Sequence, residues 1–143
     1  AGVAFERRSR MLQRLSENTR VLLGDTLGEM PFYYGAADVA IVAGSFAPFG
    51  GHNLIEACAA GVPVIVGPHT FNFQQASSDA IEAQAALRAS DADEALAQAR
   101  ALLHDEPRRL AMKHAAQVWT ASHKGATSRT LNALASALET RST

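Results

Sequence analysis

The sequence predicts an α/β fold: a Rossmann-like open parallel sheet with flanking helices and a helical C-terminal tail. Three observations carry that prediction. Short apolar runs alternate with helix-patterned segments through the first two thirds of the chain, which is the order that builds an open sheet. The runs Asp38–Ala43 and Val62–Val66 are almost wholly valine, isoleucine and alanine, too continuous for a sheet with one wet face. They read as strands buried on both sides. After Ser90 the pattern is nearly all helical. With 143 residues, 48% of them hydrophobic and 19% charged, the chain can bury one core and is not a disordered polymer.

The elements run in this order. Residues 1–20 carry Arg7, Arg8, Arg10, Arg14 and Arg20 against Glu6 and Glu17, either a solvated face or a phosphate-facing one. Arg20–Gly24 reads as the first strand, with Asp25-Thr26 beginning a turn or capping the next element. Glu29–Ala37 reads as a short helix, with Pro31 in the first turn, where its missing N–H is harmless. Asp38–Ala43 is the second strand and 44–52 a glycine-rich loop. Asn53–Ala60 is a helix stopped by Gly61. Val62–Val66 is the third strand, with Pro63 near its start, and Gly67–Asn72 is a loop. A helix is expected from Gln74 to about Leu87 and a short strand near Leu87–Ala89. Asp91–Leu103 forms a helix capped by Ser90 or Asp91, with Glu94 completing a capping box. Pro107 opens another to about Thr120, and 125–139 makes a last one with Leu131, Leu134 and Leu138 on one face.

Several function classes lose their warrant. The formal net charge is -1, so bulk electrostatics give no grip on nucleic acid. The lone Cys58 cannot form an intrachain disulfide, which makes a reducing compartment the default, and its alanine neighbours suggest a small core residue. No apolar run reaches the ~18 residues of a spanning helix, and the first residues lack the order of a signal peptide. Five histidines and one cysteine make no zinc pattern; His104, His114 and His123 are scattered along the helical tail. Neither the phosphate-loop nor the dinucleotide fingerprint occurs, and Ser45 has no nucleophile-elbow context.

Ligands of open α/β sheets bind at the carboxyl ends of the strands, which selects three loops. In Gly44–His52, Gly50-Gly51 permits close backbone approach, and His52-Asn53 opens a helix whose N–H groups suit a phosphate. Ser45 offers a hydroxyl donor. Glu56 lies about one turn from Asn53 on the same face, placed to accept from the vicinal hydroxyls of a ribose. The competing reading is a glycine turn, an ordinary capping Asn53 and a solvated Glu56. In Gly67–Phe73, His69, Phe71, Asn72 and Phe73 gather aromatic and polar groups at a strand end. Alternatively, both phenylalanines pack under the sheet and Asn72 caps the next helix. After Gly24–Gly28, the stretch Leu27, Gly28, Glu29 and Met30 starts a helix whose amides can face the same ligand, while Tyr33 and Tyr34 suit packing.

These residues also carry a resemblance. GDTLGEM (24–30), the tyrosine pair and AADVAIVAGSFAPFGGHNLIEACAAGVPVIVGPHTFNFQQ (36–75) closely resemble the C-terminal part of the Kdo transferases, which move 3-deoxy-D-manno-oct-2-ulosonic acid from CMP-Kdo to lipid A precursor. The resemblance implies the C-terminal, donor-binding domain of a GT-B fold, N-terminally truncated, with residues 1–10 a later strand of that domain. It implies CMP-Kdo as the substrate bound, with no metal and no cofactor. Gly50, Gly51 and His52 would face the phosphate, and Asn53 and Glu56 would contact the donor. Gly28, Glu29 and Met30 would close on the nucleotide, with His69, Asn72 and Phe73 as the second wall. The family's acceptor surface, the carboxylate taken as its general base and an Arg/His loop facing the phosphate lie outside these 143 residues. The chain is therefore expected to hold no catalytic residue and to be inactive alone. It would meet lipid A precursor only through the absent N-terminal domain, at the cytoplasmic face of the bacterial inner membrane. An exposed sheet edge is expected to favour self-association. A UDP-sugar transferase or epimerase of the same architecture, or a non-catalytic α/β interaction module, are the alternatives.

Overall fold

The computed structural model describes residues 2–11 and 14–123. It is an α/β fold in which the described residues form five three-residue strands, all paired in parallel. The helix expected over 125–139 lies outside the described residues.

Two hydrogen-bonded ladders are present. In the first, β1 (Phe5–Arg7) pairs with β2 (Val21–Leu23), Phe5 opposite Val21. The loop between them is tied by the Glu6 carboxylate, which accepts from the Ser16 N–H at 3.0 Å and from the Thr19 hydroxyl. In the second, the order is β3 (Ala40–Val42), β4 (Val64–Val66) and β5 (Ala86–Arg88), with Ile41, Ile65 and Leu87 in register.

The helices arise from local chemistry. Helix α1 (Met30–Ala36) has its proline in the first turn, as expected. Helix α2 (Ile55–Ala59) is shorter than expected at its start. Asn53 stays outside it, and its Oδ1 accepts from the Ile55 N–H at 2.9 Å. Helix α3 (Gln74–Glu82) stops five residues earlier than its pattern suggests. Gln84 turns left-handed at φ 58°, and the Ala85 N–H bonds back to the Ala80 carbonyl at 2.8 Å, releasing Ala86 into β5. Helix α4 (Ala92–His104) has the capping box: Asp91 accepts from the Glu94 N–H at 2.8 Å, and Glu94 reaches back to the Ser90 N–H at 2.7 Å. Helix α5 (Glu106–His123) comes after Asp105, whose carboxylate accepts from the Arg108 N–H at 3.0 Å.

The core is organised by β4, which is buried at all three positions. Val64 and Val66 face Leu54 and Cys58 from the α2 side, Ala80 of α3, and Ala116 and Trp119 of α5. Ile65, of opposite parity, faces Ala95 and Leu102 of α4 and Met112 of α5. The central strand thus has a core on each face. The equal burial expected for Asp38–Ala43 is corrected: Val42 is buried, Ala40 is half-buried, and Ile41 is 39% exposed. The reason is position. Among the described residues β3 pairs only with β4, so its outer edge is open.

Candidate functional site

The loops after β2, β3 and β4 gather at the carboxyl ends of the strands, as the fold requires. The loops after β3 and β4 are joined by hydrogen bonds to backbone carbonyls. The Ser45 carbonyl accepts from the His69 N–H at 2.9 Å, and the Gly50 carbonyl from the Asn72 N–H at 3.1 Å. Asn72 Nδ2 donates to the Phe49 carbonyl at 3.2 Å. Gly50 is indispensable here. Its φ is +89°, and a Cβ would stand 2.3 Å from Asn72 Nδ2 and 2.6 Å from the Phe71 ring. Gly44 admits the His52 imidazole, whose Nδ1 lies 2.2 Å from where a Cβ would be.

Beside this joint is a hollow lined by Met30 and Tyr34 of α1, Ala40–Val42 of β3, Ala43, Gly44, His52 and Asn53. It unites Met30, His52 and Asn53 from the predicted set. Glu56 adjoins it, with Asn53 Nδ2 donating to Glu56 Oε1 at 3.4 Å. The arrangement offers an imidazole, a carboxamide and a carboxylate on one rim. The helix behind them has only five residues, so its dipole is slight, and the donors for an anion are the side chains and loop amides.

The other predicted residues are placed differently. Glu29 is engaged on both oxygens, by Arg8 Nη2 at 2.8 Å and by the Thr26 hydroxyl; that hydroxyl bond, more than the Arg8 charge, holds its carboxyl below the usual range. Gly28 lies in the same exposed loop. Ser45 is fully buried. Its Oγ donates to the Val42 carbonyl and accepts from the Gly67 N–H at 2.6 Å, so the expected ligand donor is a pin between β3 and β4. Gly51 is half-buried at the joint, against the His69 carbonyl. Phe73 is half-buried against the core, while Phe71 points outward at 60% exposure. Neither Asn72 nor any other side chain caps α3. His69 lines a separate hollow with Thr70, Phe71, Gln74, Ser78 and Arg88.

Two residues of this region escape sequence reasoning. Tyr34, assigned to packing, also lines the first hollow, and its hydroxyl is pushed above its usual range by burial and then by the Glu56 charge. The only signal is the register of an aromatic pair in the first turns of a helix that comes after a strand-end loop. Arg88 ends β5, donates to the Gly67 carbonyl at 3.0 Å and reaches Thr70 Oγ1 at 3.4 Å, bracing the loop after β4. Its partners are some 20 residues away in sequence, beyond any local pattern. Cys58 is inert: burial pushes its thiol up to about 12. No group of three potential metal ligands occurs among the described residues.

A family model described as glycosyl transferases group 1 matches residues 6–119. The chain is 66% identical over 134 residues to a 3-deoxy-D-manno-octulosonic acid transferase of Bordetella pertussis, covering 94% of this chain and 31% of the relative. It is 39% identical over 125 residues to the transferase of the same name from Haemophilus influenzae, covering 87% of this chain and 29% of that one. The chain thus spans about a third of the length of these curated relatives. Among solved structures it superposes on the C-terminal CMP-Kdo binding domain of WaaA from Acinetobacter baumannii with a TM-score of 0.76 and 34% identity, over 82% of this chain and 61% of that one.

Proposed function

Because this chain belongs to the group 1 glycosyl transferases, we propose that it is the donor-binding part of a Kdo transferase and takes the CMP moiety of CMP-Kdo at the strand ends. The observation that carries the reading is the hollow shared by Met30, His52 and Asn53, with Glu56 hydrogen-bonded at its rim. The 66% identity to the Bordetella pertussis transferase over 94% of this chain supports the Kdo transferase reading, and the likeness to a CMP-Kdo binding domain supports the choice of donor.

The chemistry rests on what these groups accept and donate. A carboxylate such as Glu56 accepts from two neighbouring ribose hydroxyls, and Asn53 orients it. The His52 imidazole and the loop amides around Gly50 and Gly51 donate to the single phosphate of the donor. Such donors also stabilise the charge that develops on departing CMP. Gly28, Glu29 and Met30 close the nucleotide side, while His69 and Asn72 form the wall beyond the joint. Phe73 supports that wall from the core side, and Ser45 pins its base. Among the described residues none is assigned as the base that deprotonates the acceptor hydroxyl. Transfer to lipid A precursor requires a further domain, and the chain alone is inactive. The parent enzyme works at the cytoplasmic face of the inner membrane. Among the described residues no helix is long and apolar enough to cross one.

Isothermal titration of the protein with CMP and with UMP tests this. Binding of CMP at least several-fold tighter than UMP is expected; preference for UMP turns the assignment to a UDP-sugar enzyme, and absence of binding removes it.

A further inference from the structure

We propose that Arg8 and Ser9, at the end of β1, are positioning residues for nucleotide binding that fix the loop carrying Gly28 and Met30. The inference rests on the donor-site reading above and adds residues that lie outside the hollow.

The loop is held at two points. Asp25 is gripped by Ser9, whose N–H donates to Oδ1 at 2.8 Å and whose hydroxyl donates to Oδ2 at 2.7 Å. Glu29 is gripped by Arg8 at 2.8 Å, with Thr26 on its other oxygen. Both carboxyls lie below their usual range, Asp25 through the Ser9 hydroxyl first and Glu29 through the Thr26 hydroxyl first. Between Thr26 and Glu29 the chain meets almost nothing. Leu27 is fully exposed, and no atom beyond the adjoining residues lies within 4 Å of where a Gly28 Cβ would be. Leu27 and Gly28 therefore owe their position to the grips at either end and to the Thr26–Glu29 bond within the loop.

This matters for a ligand in two ways. A loop set in place before the nucleotide arrives saves the entropy of ordering it on binding. Arg8 also neutralises Glu29, which would otherwise leave a bare negative charge on a loop that closes on an anionic ligand. One cation of the N-terminal basic stretch is thus committed to the protein, whereas Arg7 and Arg10 are exposed.

The test is CMP titration of the wild-type protein and of the Arg8→Ala, Arg8→Lys and Asp25→Ala variants, monitored by amide NMR shifts. Arg8→Ala and Asp25→Ala are expected to weaken CMP binding about three- to tenfold, the range of partly exposed ion pairs and charged hydrogen bonds. The Gly28 and Met30 amides should lose their response while those of His52 and Asn53 keep it, a selectivity that general destabilisation does not produce. Arg8→Lys should recover part of the loss. Unchanged affinity with a lowered melting temperature overturns the proposal and leaves the pair a staple of the fold. A wild-type protein that ignores CMP overturns the donor-site reading itself, and the proposal with it. Should the alanine variants not fold, Arg8→Lys and Asp25→Asn, both close in shape, decide by the same comparison.

Discussion

What each side chain can do for a ligand depends on what its neighbours leave it free to do. Asn53 has a double duty: its Oδ1 accepts from the Ile55 N–H and its Nδ2 orients Glu56. Asn53→Ala is expected to weaken CMP binding about tenfold and to destabilise the fold by about 1 kcal/mol, the loss of one side-chain-to-backbone hydrogen bond; titration and denaturant melts separate the two. Gly50→Ala should be worse for stability, by roughly 1–3 kcal/mol, because its φ of +89° disfavours a side chain. A pH series gives a third expectation. Asp25 and Glu29 have lowered pKa values, so the folded protein binds these protons more weakly than the unfolded one. Their stabilisation is present above the ordinary carboxylate range of about pH 4 and is lost as pH falls through the lowered values. Melting temperature should drop across that window, and less steeply in Arg8→Ala. Gly50 and Asn53 are legible in the sequence because glycine pairs, and asparagines that bond the backbone two residues on, act on their immediate neighbours. Ser45 is not: its Oγ accepts from Gly67, 22 residues on. Phe71 and Phe73 differ only in which points outward, and loop composition does not encode that.

Elements are legible wherever a local signal ends them. Pro31, Gly61 and the Asp91–Glu94 box all mark boundaries close to where the structure has them. Asp91→Ala should therefore lower stability by about 1 kcal/mol without touching nucleotide binding, measured by denaturant unfolding. The end of α3 is hidden from the sequence because a glutamine, not a glycine, takes the left-handed position there. Helix continuation and a turn at Gln84 look alike until the tertiary need for β5 decides. The exposure of β3 is hidden too, because periodicity reports what a strand is made of, not whether a neighbour covers it. Across the sheet, Leu102 is fully buried against the Ile65 face. Leu102→Ala should cost roughly 2–5 kcal/mol while leaving the loops across the core in place.

At the scale of the molecule, the described residues form two parallel ladders rather than one. Phe5, Val21 and Leu23 of the smaller ladder and Ile41 on β3 are exposed. Open edges and apolar strand residues of this kind promote pairing between chains. Concentration-dependent association is expected, and sedimentation velocity over a wide protein concentration range checks it. A single species at every concentration would show that these surfaces are protected in solution. The functional reading requires that the strand-end loops form a CMP site, and an amide NMR map of the protein under CMP titration probes that requirement directly. Shifts should concentrate at Gly28–Met30, Gly50–Glu56 and His69–Asn72 and be larger with CMP than with UMP. Shifts that are absent at millimolar CMP, or that fall on the β1–β2 face instead, would contradict it.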